Sequence, residues 1–155
     1  MKKRRLVITG LLAIGAVLVL SSCGGGGSGD KRLTKEQFAA KANALCVSFS
    51  KDEKAAGNPS SLKRAIAYFE KLTPLYEKRV AGIGKLKPPA SEETTVNRIV
   101  TLEKKEASLA KQLLAALKKN DVAQANTLIK AGNTNSKAAK VLYGKLGIAE
   151  CAKSS

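Results

Sequence analysis

Three cysteines, Cys23, Cys46 and Cys151, are the side chains of this sequence that could support the widest range of chemistry. A thiol can carry a lipid, form a disulfide, ligate a metal or act as a nucleophile. The three positions lie far apart in the chain, with no C-x-x-C and no clustered ligand set. This spacing argues against a thiol redox motif and against a cysteine-based metal site.

The chain has no histidine, which excludes histidine-based triads, histidine-ligated metals and histidine pH switches. It also lacks H-E-x-x-H, G-x-S-x-G and a phosphate-binding glycine loop. Glu103 and Glu106 share a helical face and could form an acid/base or cation-binding pair. We interpret them instead as a solvated or salt-bridged edge, with Lys104, Lys105 and Lys111 as the partners. The sequence predicts no catalytic residue, metal or cofactor, and we expect a protein that is not an enzyme.

The N-terminal segment has the order of an export signal. Four basic residues at positions 2–5 precede an apolar run from Leu6 to Leu20, and Ser21, Ser22 and Cys23 follow. A helix of about 15 residues spans roughly 22 Å, which is short for a hydrocarbon core of about 30 Å. The run is therefore typical of a signal peptide. The sequence Leu-Ser-Ser-Cys that ends it resembles the lipobox of bacterial lipoproteins.

This resemblance implies that the Cys23 thiol receives a diacylglycerol group and that the chain is cut just before it. Residues 1–22 would be the lipoprotein signal peptide, residues 23–32 the lipidated cysteine with a flexible Gly-rich tether, and residues 33–155 a helical extracytoplasmic domain. The implied location is the cell membrane, with the domain lipid-anchored and facing the extracytoplasmic side. The alternatives are an ordinary secretory signal and an uncleaved anchor.

Cys46 and Cys151 are the two cysteines that remain when Cys23 carries lipid. Because an exported chain is in an oxidising compartment, an even pair of cysteines there usually forms a disulfide. The bond would close a loop of roughly 100 residues, for which the chain-entropy model gives about 4–5 kcal/mol of stabilisation. A redox pair or a reactive thiol is the functional alternative.

Apolar residues recur at helical spacing, and aromatic residues make up only 4% of the chain, a composition that favours helices over a β-sandwich. In the first segment Thr34 and Gln37 predict a capping box, and Gly57 ends the helix. In the second segment Asn58 is the predicted N-cap. Pro74 lies inside this second segment and should kink or divide the helix.

The third helix is predicted to begin at Ser91 as its cap and to reach about Lys119. Asn120 can close it in a left-handed conformation, and Asp121 can cap the fourth helix. Gly132 could interrupt that helix. The fourth apolar stripe is predicted to contain Val122, Ala125, Ile129, Gly132, Ser136, Ala139 and Tyr143. Four amphipathic segments with short links predict an all-α fold, an antiparallel four-helix bundle with one disulfide.

The mature region also resembles small helical lipoproteins and secreted proteins of actinobacteria. The shared features are an early-helix cysteine at Cys46, a central proline-containing link and a terminal segment ending Leu146-Gly-Ile-Ala-Glu-Cys151. The resemblance covers about residues 33–152. It implies the helical fold and the disulfide, and it implies no activity.

The chain is strongly basic, with 28 Lys and Arg against 12 Asp and Glu and a net charge of +16. Without residues 1–22 it keeps 24 basic and 12 acidic residues, a net charge of +12. Seven-residue spacing places stripes of lysine on the third and fourth helices: Lys104, Lys111, Lys118, Lys130 and Lys137. We interpret them as the charged border of the apolar seam. The alternative is a surface that contacts anionic lipid or an anionic wall polymer.

The sequence therefore predicts a non-catalytic, lipid-anchored binding or interaction domain at the cell envelope. Its expected partners are the membrane, through the anchor, and anionic lipid, a cell-wall polymer or an envelope protein. Nucleic acid is not an expected partner, because the protein is exported and offers few aromatic side chains for stacking on bases. The alternative function is a carrier or sensor that holds a small apolar ligand in a cavity of the bundle near Pro74.

Overall fold

The fold is all-α across residues 32–153, the part of the chain that this computed structural model describes, and these residues contain no β-strand. The α-helices, α1 to α5 in chain order, are Lys35–Ala56, Leu62–Lys85, Glu93–Lys118, Val122–Lys145 and Ala149–Lys153. A single 3₁₀ turn, Ala90–Glu92, precedes α3. The predicted signal peptide, Cys23 and tether residues 24–31 lie outside the described residues. Within residues 32–153, no helix combines the length and apolarity needed to cross a bilayer.

Several predicted helix ends are confirmed. The Thr34 hydroxyl accepts the backbone N–H of Gln37 at 3.2 Å, and the Gln37 side chain accepts the Thr34 N–H at 3.1 Å. Gly57 ends α1 with a φ of +102°, a conformation that costs glycine little. Asn120 closes α3 with a φ of +53°, and the Asp121 carboxylate accepts a backbone N–H in the first turn of α4.

Two predicted caps are wrong. Helix α2 begins after Ser61, whose extended backbone lets its hydroxyl accept the N–H three residues on at 3.3 Å. The earlier candidate, Asn58, lies in a turn where its carbonyl accepts the Ser60 N–H. Ser91 lies inside the 3₁₀ turn, and α3 begins at Glu93 without a side-chain cap. Many Ser and Asn residues can cap in principle, and the local backbone selects which one does.

Neither helix breaker divides its helix. Helix α2 runs through Pro74, which is exposed, so the expected division is absent. One residue earlier, the Thr73 hydroxyl donates to the carbonyl of Phe69 at 2.7 Å, adding a hydrogen bond beside the one that proline cannot make. Helix α4 is likewise continuous across Gly132.

The four long helices pack in chain order, α1 on α2, α2 on α3 and α3 on α4, and α5 contacts both α1 and α4. The Leu33 N–H donates to the carbonyl of Lys87 at 2.8 Å, so the chain returns after α2 to the end where α1 begins. Helices α1 and α2 are therefore antiparallel. As predicted, Cys46 and Cys151 form a disulfide, with their Cα atoms 5.1 Å apart, and this bond joins α5 to α1.

The predicted apolar face of α4 is confirmed at Ala125, Ala139 and Tyr143, which are buried, and is wrong at two positions. On α4, Val122 and Ile129 are 64% and 46% exposed, whereas Leu128 is 6% exposed and packs in the core. A shift of one position turns a side chain by about 100° around the helix, which is enough to exchange an inward residue for an outward one. The main core draws on every α-helix, with the residues Phe38, Ala42, Cys46, Ile83, Val96, Ile99, Ala139, Tyr143, Leu146, Ile148 and Cys151.

Candidate functional site

A buried ion pair lies between α2 and α3. Arg79 and Glu103 have side chains that are each 3% exposed, and the Arg79 Nη2 and Nε atoms donate to Glu103 Oε2 at 2.6 and 2.9 Å. The hydroxyl of Tyr143 on α4 donates to Glu103 Oε1 at 2.9 Å. Both carboxylate oxygens of Glu103 therefore have a hydrogen bond. Three helices meet at this one side chain.

Aromatic rings cover the guanidinium of Arg79. Its central carbon lies 4.0 Å from the ring centre of Phe49 on α1 and 5.1 Å from that of Tyr76 on α2, within the range of cation–π attraction. Burial and the negative charge of Glu103 raise the pKa of Tyr143, so its hydroxyl remains a proton donor. The Arg79–Glu103 pair therefore links α2 and α3, and the hydrogen bond from Tyr143 links both to α4.

The expected salt-bridged edge is therefore wrong for Glu103, whose partners are Arg79 and Tyr143 and not the neighbouring lysines. In the sequence, Glu103 and Glu106 interrupt a stripe of apolar residues at helical spacing, Val96, Ile99, Leu102 and Leu109, and this pattern indicates burial of a glutamate. Burial of Arg79 was missed, although this residue stands between the apolar positions Tyr76 and Ile83 at helical spacing. A buried carboxylate on one helix requires a buried cation or donor on its neighbour.

Glu106 lies one turn further along α3, and its partner is an amide and not a cation. Its Oε2 accepts a hydrogen bond from Asn135 Nδ2 of α4 at 2.8 Å, and the same nitrogen donates to the carbonyl of Leu102 at 2.9 Å. No ion pair joins Glu106 to another residue within 32–153. The Asn135 Oδ1 atom is buried without a hydrogen-bond partner in this same part of the chain.

Burial is the main cause that raises the pKa of Glu106, and the charge of Glu103 adds to it. The hydrogen bond from Asn135 and the positive charges of Arg79 and Lys105 oppose that rise. The pKa of Tyr76 is also raised, first by burial and then by the charge of Glu106. The Glu106 carboxylate therefore lies close enough to Tyr76 to influence the ionisation of its hydroxyl.

A cavity of about 190 Å³ opens beside Glu106, between α2, α3 and α4. We call it the Glu106 cavity. Its walls are mostly apolar, with the carboxylate and a few small polar groups among them. It is lined by Phe69, Tyr76, Glu106, Leu109, Ala110, Leu113, Leu128, Ile129, Gly132, Asn133 and Ser136.

A larger groove of about 640 Å³ runs between α2 and α3, and we call it the α2–α3 groove. Its apolar part is formed by Val80, Ala81, Val100 and Ala107, and its charged residues include Lys85, Lys104 and Lys111. Lys111 is paired with Glu77 across the groove at 2.5 Å. The arrangement of apolar residues beside lysines suits a molecule with an apolar body and an anionic end.

The predicted lysine set divides between two surfaces. On α3, Lys111 and Lys118 pair with glutamates of α2, Lys118 with Glu70 at 2.8 Å, as expected for a charged border. On α4, Lys130 and Lys137 are exposed and make no ion pair with a described residue. The sequence of α4 contains no Asp or Glu at all, so this face is uniformly basic.

The cysteines of the described region are inaccessible. Cys46 and Cys151 are 0% and 1% exposed, an environment suited to a structural disulfide. Across residues 32–153, no group of three or more His, Cys, Asp or Glu side chains is arranged to hold a metal ion.

Comparison of the chain with protein-family models, with curated proteins and with solved structures finds no match.

Proposed function

We propose that this protein is a non-catalytic, lipid-anchored binding domain of the cell envelope. In this proposal residues 1–22 are a cleaved signal peptide, Cys23 carries the lipid, and an antiparallel four-helix bundle faces the extracytoplasmic side. The proposal is supported by the lipobox-like sequence that ends at Cys23. The pairing of the other two cysteines also supports it, because disulfides are typical of exported proteins.

The anchor is tested directly by replacing its cysteine. Cys23→Ala should abolish incorporation of labelled fatty acid and leave the precursor uncut, because no thiol remains to receive diacylglycerol. Fatty-acid labelling and the size of the protein on a gel measure both effects. The matched control is Cys46→Ala with Cys151→Ala, which should retain the label. Labelling that persists in Cys23→Ala would refute the anchor.

The observation that best supports a binding role is the basic face of α4. Helix α4 carries lysine at four positions and no acidic residue, and Lys130, Lys137 and Lys145 are exposed. Near an anionic membrane each lysine contributes about 1 kcal/mol, an attraction that falls off over a Debye length of about 8–10 Å. We therefore propose a phosphate-bearing surface as the partner, either anionic lipid headgroups or an anionic wall polymer.

A charge-reversal experiment tests this face. The full-length protein in neutral detergent is titrated with bicelles of zwitterionic lipid, with bicelles containing anionic lipid, and with wall-polymer fragments. Lys130→Glu with Lys137→Glu should weaken only the anionic interactions, and added salt should do the same. The control is Lys41→Glu with Lys51→Glu, an equal charge change on α1. Equal loss in both double variants would mean that net charge, and not the α4 face, governs binding.

A second candidate function is a carrier or sensor of an amphiphilic ligand, and the α2–α3 groove favours it. The groove begins beyond Pro74 in α2, where Val80, Lys85 and Lys104 place apolar and cationic groups side by side. Dodecanoate should bind more tightly than dodecanol, and Lys85→Glu with Lys104→Glu should remove that preference. Calorimetric titration measures both. No difference between the acid and the alcohol would exclude an anionic amphiphile.

A further inference from the structure

We propose that the Glu106 cavity binds a small organic ammonium ion, with the Glu106 carboxylate holding the charge and the apolar walls holding the carbon chain. This site is separate from the α4 face and from the α2–α3 groove. It does not depend on whether the protein is lipid-anchored.

The carboxylate is oriented with one oxygen held and one free. Asn135 Nδ2 fixes Oε2 at 2.8 Å, and no residue within 32–153 donates a hydrogen bond to Oε1. Oε1 is also not among the buried atoms that lack a partner, so it reaches open space. It is therefore available to accept a charge-assisted hydrogen bond from a ligand.

Among the acidic side chains of α2 and α3, Glu106 is the one without an ion pair to a described residue. Elsewhere in residues 32–153, Glu36, Asp52, Glu53 and Asp121 also lack one. Basic residues outnumber acidic residues by 28 to 12, and Glu70, Glu77 and Glu103 each have a cationic partner. Glu106 is half-buried and lacks one. Because an ionised carboxylate in an apolar site is costly without a countercharge, the site is suited to a cation supplied from outside.

The walls of the cavity match an ammonium ion that carries an apolar group. Tyr76 lines the cavity and has a hydroxyl that makes no hydrogen bond with a described residue. Phe69, Leu109 and Leu128 supply apolar surface, and Ser136 adds a second hydroxyl. An ammonium group has three donors, which the Glu106 Oε1 atom and these two hydroxyls can accept. Aromatic faces also attract organic cations.

The chemistry of the cavity disfavours other ligands. An anion would meet the negative charge of Glu106. A calcium ion requires six or more oxygen ligands and magnesium an octahedral set, whereas Glu106 is the only carboxylate that lines this cavity. A volume of about 190 Å³ accommodates a short alkyl chain but is below the range usual for drug-sized ligands.

Gly132 keeps the carboxylate accessible. A Cβ atom at this position would lie 3.4 Å from Glu106 Oε1, directly against the free oxygen. Glycine in the middle of a helix is destabilising, and α4 continues through it regardless. Glycine at position 132 therefore lowers the stability of α4. It also leaves open the space in which a methyl group would contact the carboxylate.

Three ligands of similar shape and different charge test the proposal: n-pentylammonium, n-pentanol and n-pentanoate. Each is titrated calorimetrically into the full-length protein in a neutral detergent, with a detergent-only titration subtracted. Pentylammonium should bind at least about tenfold more tightly than pentanol, the effect of one hydrogen bond to a charged group. Pentanoate should bind more weakly than either. Backbone amide shifts in NMR spectra should move at Gly132, Asn133 and Ser136.

Two variants separate binding from folding. Glu106→Gln keeps a side chain that Asn135 can still bond and removes the charge, so pentylammonium should bind no better than pentanol. Gly132→Ala should weaken pentylammonium at least about threefold while its midpoint of unfolding rises, since alanine favours the helix. Gly144→Ala, in the same helix with nothing within 4 Å of its Cβ position, should raise the midpoint and leave binding unchanged.

The proposal is overturned if pentylammonium and pentanol bind equally. Wild-type affinity in Glu106→Gln, or shifts confined to the α2–α3 groove, would also overturn it. Tighter binding of pentanoate would assign the site to an anion and exclude the carboxylate as its anchor.

Discussion

At the scale of single residues, the two glutamates of α3 illustrate how burial and pairing set the role of a charge. Glu103 is enclosed by Arg79 and Tyr143 and serves to hold helices together. Glu106, one turn away, has a single hydrogen bond and an open oxygen. A glutamate side chain thus has a structural role at position 103, whereas at position 106 one of its oxygens is available to a ligand.

Removing Glu103 should strongly destabilise the fold. Glu103→Ala leaves the guanidinium of Arg79 buried without its countercharge, and breaking a buried pair in this way costs about 3–5 kcal/mol. The exposed pair of Glu70 and Lys118 provides the control, since Glu70→Ala should cost about 0–1 kcal/mol. Urea unfolding with the disulfide intact measures both. Equal costs would show that the buried pair does not stabilise the packing of α2 on α3.

The stability difference between Glu106→Gln and wild type should depend on pH. Because the folded state raises the pKa of Glu106, its contribution to stability is complete below the unfolded value, 4.5 in the reference state, and is lost as pH rises through the folded value. Gln does not titrate. Glu106→Gln should therefore gain stability relative to wild type between acidic and neutral pH. A constant difference across that range in urea unfolding would contradict the raised pKa.

At the scale of elements, the helices themselves were predictable and their ends only partly so. Apolar residues at helical spacing predicted the four long helices, because each of these helices buries one face along its length. The Thr34 capping box and the Asn120 closure were also found, since each has a specific sequence signature. The prediction of Asn58 as a cap is wrong, because residues 57–61 contain several candidates and the local backbone selects Ser61 among them.

The two candidate caps of α2 should differ in their effect on stability. Ser61→Ala removes the acceptor of a backbone N–H in the first turn and should cost about 1 kcal/mol. Asn58→Ala lies outside the helix and should change the free energy of unfolding by less than about 0.5 kcal/mol. Urea unfolding curves of the two variants provide the measurement. The reverse order would restore Asn58 as the cap.

At the scale of the whole molecule, the short helix α5 connects the beginning and the end of the fold. It packs on α1 and α4, the Glu150 N–H donates to the Asn43 side chain at 2.9 Å, and Cys151 is bonded to Cys46. The cysteine pair was predictable from the number of cysteines and the expected compartment. The Glu106 cavity was not, because it depends on how three helices face each other, which spacing within one helix does not define.

Loss of the disulfide should lower stability substantially. The bond joins residues 105 positions apart, and a loop of about 100 residues corresponds to about 4–5 kcal/mol in the chain-entropy model. Cys46→Ala with Cys151→Ala should reduce the free energy of unfolding by about that amount, measured with urea. Wild-type protein unfolded with a reductant should show a similar loss. An unchanged unfolding midpoint in both experiments would contradict this role.

The hydrogen bond between Leu33 and Lys87 lies at one end of the bundle. We call this end the near pole and the opposite end the far pole. Arg32 reinforces the near pole by contacting the carbonyl of Pro88 and the carboxylate of Glu93, so whatever precedes residue 32 is attached there. Helix α1 extends away from it for about 33 Å, at 1.5 Å per residue. Helix α3 begins at the near pole, beside the contact of Arg32 with Glu93, so the turn at Asn58–Ser60 and the turn between α3 and α4 both lie at the far pole. An epitope inserted at either turn would lie at the end of the bundle opposite the attachment of the N-terminal segment.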